Sequence, residues 1–127
     1  VSAGPASGSF PVSGMLVAPC SIRALSAIAN SHASDLLTRA ADVTLKERRP
    51  LVLMVREAPL HLGHLRLMAS ATETGAVVFP PVPAFYEHPA DLEELITNTT
   101  AAALARVGVE VPGRKRWGGP ENGRATD

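Results

Sequence analysis

An uninterrupted apolar run at residues 51–55, with the sequence LVLMV, constrains the fold of this chain more than any other feature. Such a run is typical of a strand in a parallel sheet that is covered on both faces. Segments with helical periodicity precede and follow it, which predicts strand–helix–strand units. The low aromatic content, 4%, also suits layers of helix on sheet better than an all-β sandwich.

The remaining elements follow the same alternation. Apolar runs at residues 14–18 and 76–79 predict two further buried strands, the first of them stopped by Pro19. The predicted helices cover residues 22–30, 35–48, 60–74 and 91–107. The order β-α-α-β-α-β-α predicts a three-layer α/β fold, a parallel sheet with helices on both faces and right-handed crossovers.

Local signals set the expected ends and faces of these helices. Ser34 is predicted to cap the second helix, and Gly75 to end the third. The spacing of the third helix predicts an inward stripe formed by Leu62, Leu65, Met68 and Ala69. Residues 80–86 (PPVPAFY) are predicted to be stiff and extended, because proline cannot join a central ladder.

Composition narrows the class of protein. Twelve basic residues balance twelve acidic ones, so no global field attracts nucleic acid or an acidic membrane. No apolar run approaches the roughly 20 residues of a membrane helix. The single cysteine, Cys20, excludes an internal disulfide framework and predicts a reducing, cytoplasmic setting. Because the chain begins at Val1 and not at Met, we expect an amino-terminal part to precede it.

Arg56 and Glu57 follow the central strand directly, where open α/β sheets bind ligands. A structural ion pair that anchors the loop is the alternative, although the following Pro59 turns the chain away and leaves both side chains at the strand end. Upstream, Arg39 and Lys46 are seven residues apart on one helical face. We expect Lys46 to share one bound phosphate with Glu57. Lys46 also begins the charged run at residues 46–49 (KERR), and the simpler explanation of that run is an ordinary solvated helix end.

Other candidates are weaker. His61 and His64 have i,i+3 spacing, but no third ligand completes a zinc site. Cys20 follows a strand, yet a buried free cysteine is more common than a nucleophile. The segment ASGS at residues 6–9 lacks the lysine of a phosphate-binding loop. Tyr86 and Trp117 each fit ordinary packing as well as a role at a site.

Together these residues resemble the UbiX-like flavin prenyltransferases. The segments that carry the resemblance are GMLVAPCSIRALSAIA, DLLTRAADVTLKERRPLVLMVREAPLHLGHLRLM and GAVVFPPVPAFY, in this order between about residues 6 and 107. The resemblance implies a Rossmann-like, flavodoxin-like fold that assembles into dodecamers with FMN bound between subunits. It also implies transfer of a dimethylallyl group from dimethylallyl monophosphate to reduced FMN without a metal, giving prenylated FMN for UbiD-type decarboxylases and ubiquinone biosynthesis.

The resemblance also assigns roles to individual residues. Glu57 matches a catalytic carboxylate suited to proton transfer, and Lys46 matches a second catalytic position that also binds phosphate. The positions that match FMN contacts are Ser21, Ile22, Arg23, Ala24 and Arg56. The positions that match contacts to the prenyl phosphate or closure of the site are Arg39, Lys46, Tyr86 and Trp117.

The chain departs from the family pattern in three ways. The first strand of the family and its Gly-Ala-Ser-Gly turn are absent, so the domain at residues 1–111 is expected to be truncated at its N-terminus, with a mobile tail at 112–127. Ala24 stands where the family usually has a threonine in the FMN-binding turn. Ala102 stands where the family usually has an arginine or lysine that binds the prenyl phosphate, and Arg106, one turn later, could take its place. Two alternatives therefore stay open: a non-catalytic FMN-binding subunit, or a flavin-dependent decarboxylase, which would need a catalytic histidine.

Overall fold

A computed structural model describes residues 14–82 and 84–110. The helices and strands, in chain order, are β1 (Met15–Cys20), α1 (Ile22–Ala29), α2 (Leu36–Lys46), β2 (Leu51–Val55), α3 (Leu62–Glu73), β3 (Val77–Val78), a 3-10 turn (Phe85–Glu87) and α4 (Leu92–Ala105). The predicted order of strands and helices is confirmed. The chain divides into two compact units, Val1–Pro81 and Val82–Asp127. The prediction of one domain over residues 1–111 stays a prediction.

The first unit contains a parallel sheet with the strand order β1-β2-β3. Met15 pairs with Leu51, Val17 with Leu53 and Cys20 with Val55. Between the last two pairs, β1 advances three residues whereas β2 advances only two. This irregularity contains Ala18 and Pro19, which are exposed. The prediction that Pro19 stops the strand is therefore wrong, because a bulge accommodates a residue that cannot donate to the ladder.

The core of the first unit lies between the sheet and its three helices. Alternate strand residues, Met15 and Val17 in β1 and Leu51, Leu53 and Val55 in β2, form one buried cluster with side chains from all three helices. Strand alternation explains this, since every second side chain points to the same face. Leu16 and Val52, which point to the opposite face, are buried as well. The parallel α/β architecture predicted from the sequence is thereby confirmed.

The start of α2 differs from the prediction. Asp35, not Ser34, is the N-cap, and its carboxylate accepts a hydrogen bond from the Thr38 N–H at 2.8 Å. The Thr38 hydroxyl oxygen in turn accepts from the Asp35 N–H at 3.1 Å, which completes a reciprocal capping box. The signal was present as Asp-x-x-Thr, but Ser34 is itself a good cap residue one position earlier.

The buried face of α3 agrees with the prediction at Met68 and differs from it at Leu62, Leu65 and Ala69, which are exposed. Leu62 and Leu65 are 57% and 48% exposed, whereas Leu67, Met68 and Ala71 pack against the core. Both faces of this helix carry apolar residues, so periodicity could not choose between them. Packing on α1 decides the orientation, and the Ser70 hydroxyl donates to the Ala29 carbonyl oxygen at 3.4 Å. Gly75, with φ at +115°, lies just past the helix as predicted.

The second unit contains the 3-10 turn and α4. The extended conformation predicted for residues 80–86 is wrong at its end, because Phe85 and Tyr86 belong to the turn. Asp91 caps α4 by accepting from the Glu94 N–H at 2.8 Å. Leu95 and Ala103 are buried, and Ala102 is partly buried. Within residues 14–82 and 84–110, no helix combines the length and apolar character needed to cross a membrane.

Candidate functional site

The candidate site lies at the carboxyl edge of the sheet, where β1 and β2 end together. Because Cys20 pairs with Val55, the residues that follow them, Ser21 and Arg56, leave the sheet side by side. Neighbouring strands are about 4.8 Å apart, so the two segments begin at nearly adjacent positions. The sheet register thus brings together residues that are 35 positions apart in the sequence.

The segment after β1 presents the N-terminus of α1 at this edge. The Ser21 hydroxyl oxygen accepts from the Ala24 N–H at 3.0 Å and caps the helix. Helix geometry leaves the N–H groups of Ile22 and Arg23 without an acceptor inside the helix. Such N–H groups, together with the helix dipole, favour a bound anion. The arrangement fits the phosphate or another electron-rich group of a flavin nucleotide.

The segment after β2 carries both charged candidates. Arg56 and Glu57 are exposed, as are the next three residues, Ala58–Leu60. Arg49 forms an ion pair with Glu47, at 3.3 Å. Arg56 and Glu57, both within the described residues, do not form an ion pair with each other. A guanidinium and a carboxylate in solvent at a strand end can both contact a ligand there.

A cleft of about 560 Å³ opens beside the α1 N-terminus. Its lining residues are Ser21, Arg23, Ala24, Ser26, Ala27, Asn30, His32, Ser34, Asp35, Leu37 and Thr38. Three of the predicted FMN contacts, Ser21, Arg23 and Ala24, are among them, whereas Ile22 and Arg56 are not. The volume is within the range of small-molecule sites, roughly 300–1,000 Å³.

The sequence analysis missed the contribution of α2 to this cleft. Asp35 and Thr38 line it from the first turn of α2. Hydrogen bonds from Thr38, first from its side chain and then from its backbone, lower the pKa of the Asp35 carboxyl below its ordinary value of 3.8, and the positive charge of Arg23 adds to this.

Lys46 lies at the other edge of the sheet. The Thr44 hydroxyl is 3.7 Å from the sulfur of Met15, the first residue of β1, and Leu45 borders Gly75, just before β3. From Leu51 to Val55, β2 advances about 13 Å, at about 3.3 Å per residue, and Glu57 follows beyond its end. Within one chain Lys46 and Glu57 therefore lie at opposite edges of the sheet, because α2 runs antiparallel to the strands that it connects. That they share a phosphate stays a prediction, and it requires a neighbouring subunit.

Arg39 and Lys46 nevertheless form a consistent pair on α2. Both are exposed, and their spacing of seven residues places them on one helical face, about 10 Å apart along the axis. Leu36, at the start of the same helix, is 72% exposed. This face therefore presents two cations to solvent.

The other described candidates of the first unit are Cys20 and the pair His61 and His64. Cys20 is 2% exposed, and its burial raises the thiol pKa to about 11, so the thiol is protonated at neutral pH. His61 and His64 stack on each other at the start of α3. Over residues 14–82 and 84–110, no three side chains of His, Cys, Asp or Glu are grouped to hold a metal.

The other predicted contacts lie in the second unit or outside the described residues. Tyr86 is 73% exposed on the 3-10 turn. Arg106, the suggested substitute for a cation at position 102, is the C-cap of α4 and is exposed. Trp117 and the ASGS segment at 6–9 lie outside the described residues.

Comparison with known proteins places the chain among flavoproteins. The family model described as Flavoprotein matches residues 4–108. The flavin prenyltransferase UbiX of Thauera aromatica is 57% identical over 121 residues, covering 95% of this chain and 62% of that protein.

Two solved structures are similar over 90% of this chain. The crystal structure of AnUbiX in complex with FMN and dimethylallyl pyrophosphate has a TM-score of 0.82 and 47% identity, with 61% of that chain covered. The dodecameric FMN-dependent UbiX-like decarboxylase from Escherichia coli O157:H7 has a TM-score of 0.80 and 44% identity, with 62% covered. The chain therefore spans less than two thirds of each protein to which it is compared.

Proposed function

Because this chain belongs to the Flavoprotein family, we propose that its protein is a flavin prenyltransferase, which transfers a dimethylallyl group from dimethylallyl monophosphate to reduced FMN. The observation that supports this best is the pairing of Cys20 with Val55. It brings the α1 N-terminus and the exposed Arg56-Glu57 pair to one edge of the sheet. Similarity to UbiX of Thauera aromatica and to AnUbiX, crystallised with FMN and dimethylallyl pyrophosphate, supports the same reaction.

FMN is a substrate in this proposal, and the segment after β1 binds it. The N–H groups at the start of α1 and the cleft beside them accept part of the nucleotide, and Arg56 binds it from the neighbouring strand. Reduced FMN supplies the nucleophilic ring that is alkylated. Ala24 contributes only its backbone, since its side chain has no polar atom.

Glu57 transfers the proton. The carboxylate lies in solvent at the strand end, where it can accept a proton from the ring position that is being alkylated and deliver a proton to the leaving phosphate. A carboxylate within hydrogen-bond reach of the reacting atom is the geometry that general acid–base catalysis requires.

Arg39 and Lys46 hold the phosphate from a second copy of the chain. Within one chain Lys46 lies at the amino edge, so it can meet Glu57 only across an interface. A leaving phosphate develops negative charge, which cations and hydroxyl groups stabilise. The family resemblance assigns Tyr86 to the same phosphate and Trp117 to closure of the site, and both assignments stay predictions. The dodecameric assembly of the E. coli O157:H7 relative supports a site between subunits. From the family resemblance we also propose that the prenylated FMN product is passed to a UbiD-type decarboxylase.

A non-catalytic FMN-binding protein is the second candidate function. The partly buried Ala102 on α4 favours it, because a cation expected at this position is absent from the sequence. On this alternative the protein retains FMN but has too few cations to stabilise the leaving phosphate.

The deciding experiment uses protein expressed from the complete open reading frame. We expect incubation with reduced FMN and dimethylallyl monophosphate to give a prenylated flavin, detected by its altered absorption spectrum and by mass. Glu57→Gln should abolish the product and leave FMN binding intact. Glu73→Gln, an exposed position at the end of α3, is the matched control and should keep full activity.

The outcomes separate the two candidates. Retention of FMN by the unchanged protein with no prenyl transfer would favour the FMN-binding alternative. Equal activity in Glu57→Gln and Glu73→Gln would remove Glu57 from the mechanism.

A further inference from the structure

His61 and His64 form a reciprocal pair at the start of α3. The backbone N–H of His61 donates to Nδ1 of His64, and the backbone N–H of His64 donates to Nδ1 of His61, each at 3.3 Å. The two rings stack with centroids 3.6 Å apart and planes inclined by 19°. His61 is thus the N-cap and His64 the N3 residue of a capping box built from two imidazoles.

This geometry uses Nδ1 of each ring as a hydrogen-bond acceptor. A ring nitrogen accepts a hydrogen bond only when it carries no proton. A proton on Nδ1 would remove a cap, and it would place positive charge at the positive end of the helix dipole.

The pair lies at one end of the segment that carries Arg56 and Glu57. At its other end this segment is fixed by Val55, which is buried and paired in the sheet. All five residues between these points, 56–60, are exposed. The His61–His64 pair lies where this exposed segment enters α3, and α3 itself packs on α1.

We propose that His61 and His64 are positioning residues: as a mutual cap they hold the segment 56–60 so that Glu57 stays at the carboxyl edge of the sheet. The expected effect on kcat rests on the proposed function. The ordering of residues 56–60 can be measured whether or not the protein transfers a prenyl group. The rings act through their hydrogen-bonding geometry and do not exchange protons with substrate.

Capping and ring chemistry can be separated by substitution. His61→Ala removes the cap, whereas His61→Asn restores an acceptor of nearly the same reach, since asparagine is a preferred N-cap residue. The double variant His61→Asn/His64→Gln replaces both rings and can still form a capping box, because glutamine is a usual N3 partner.

Gly63→Ala supplies an independent perturbation. A Cβ at Gly63 would lie 2.8 Å from Cε1 of His61, so the ring must move, although the imidazole remains. Alanine in a helix normally stabilises relative to glycine. A loss of activity in this variant would therefore come from the displaced ring and not from weaker helix propensity.

The measurements are kcat and KM for prenyl transfer by protein from the complete open reading frame, and amide hydrogen exchange of residues 56–60. We expect His61→Ala and Gly63→Ala to lower kcat by on the order of tenfold, with a smaller change in KM, because misplacement of a catalytic group by about 1 Å can cost up to 10²-fold. Exchange in the segment should rise in both variants. In His61→Asn and in His61→Asn/His64→Gln, kcat and the exchange of residues 56–60 should be close to those of the unchanged protein.

Each outcome supports or overturns the proposal. Unchanged kcat and exchange in His61→Ala would overturn it. An Asn/Gln variant that orders the segment but stays inactive would show that the rings take part chemically, which also overturns it. If the unchanged protein transfers no prenyl group, the proposed function fails, and the exchange data alone then decide whether the pair positions the segment.

Discussion

Cys20 and Val55 are register partners at the last positions of two neighbouring parallel strands. The bulge at Ala18 and Pro19 produces this pairing, because it adds one residue to β1 relative to β2. If the regular pairing continued without a bulge, Cys20 would be opposite Arg56, and the two chain segments would leave the sheet one position out of step. A proline inside a strand therefore helps to align the α1 N-terminus with the Arg56-Glu57 pair.

The first prediction concerns the separation of Lys46 and Glu57. If Lys46 acts across a subunit interface, Lys46→Ala and Glu57→Gln proteins should each be inactive, and their co-expression should restore activity. Random mixing in a symmetric assembly gives about a quarter of sites with both groups intact. Prenylated FMN formed per subunit measures the recovery.

The control for this experiment is co-expression of Glu57→Gln with a double Lys46→Ala/Glu57→Gln variant, which contains no intact carboxylate and should stay inactive. No recovery in the first mixture, although mixed assemblies are isolated, would contradict an intersubunit role for Lys46.

The second prediction concerns Cys20. Its pKa is raised from the ordinary value of 9.0 to about 11, so folding favours the neutral thiol. The resulting contribution to stability is fully present below pH 9 and is lost as the pH rises through 11. The urea midpoint of the unchanged protein should therefore fall more steeply across this range than that of Cys20→Ala. Parallel pH profiles for the two proteins would refute this assignment.

The third prediction concerns the cap of α2. Hydrogen bonds from Thr38 lower the pKa of Asp35, so the carboxylate stabilises the fold above its ordinary pKa of 3.8, and this contribution is lost as the pH falls through the lowered value. Asp35→Ala should lower the denaturation midpoint at neutral pH, and the difference from the unchanged protein should shrink in acid.

Asp35→Asn is the matched variant for this test. It keeps an acceptor for the Thr38 N–H without a titrating group, so its midpoint at neutral pH should lie above that of Asp35→Ala. A midpoint difference between Asp35→Ala and the unchanged protein that stays constant into acid would argue against the carboxylate as its source.

The sequence was sufficient for recognition of the family because the segments that carry the resemblance are long and continuous. The family match over residues 4–108 confirms that recognition. The assignments of individual site residues stay predictions. They depend on which side chains meet at a ligand, and local sequence patterns do not determine that.

By itself, the sequence determined the order of the elements and the parallel α/β class, because apolar runs, periodicity and turn residues act over a few neighbouring positions. Only the tertiary structure decided which face of α3 is buried, since Leu62 and Leu65 match an inward stripe as well as Met68 does. It also decided the bulge at Ala18 and Pro19, which pairs Cys20 with Val55. Burial and register depend on packing against distant segments, which local sequence signals do not record. By contrast, the separation of Lys46 from Glu57 follows from the order of the elements, because α2 ends just before β2 and Glu57 comes just after it.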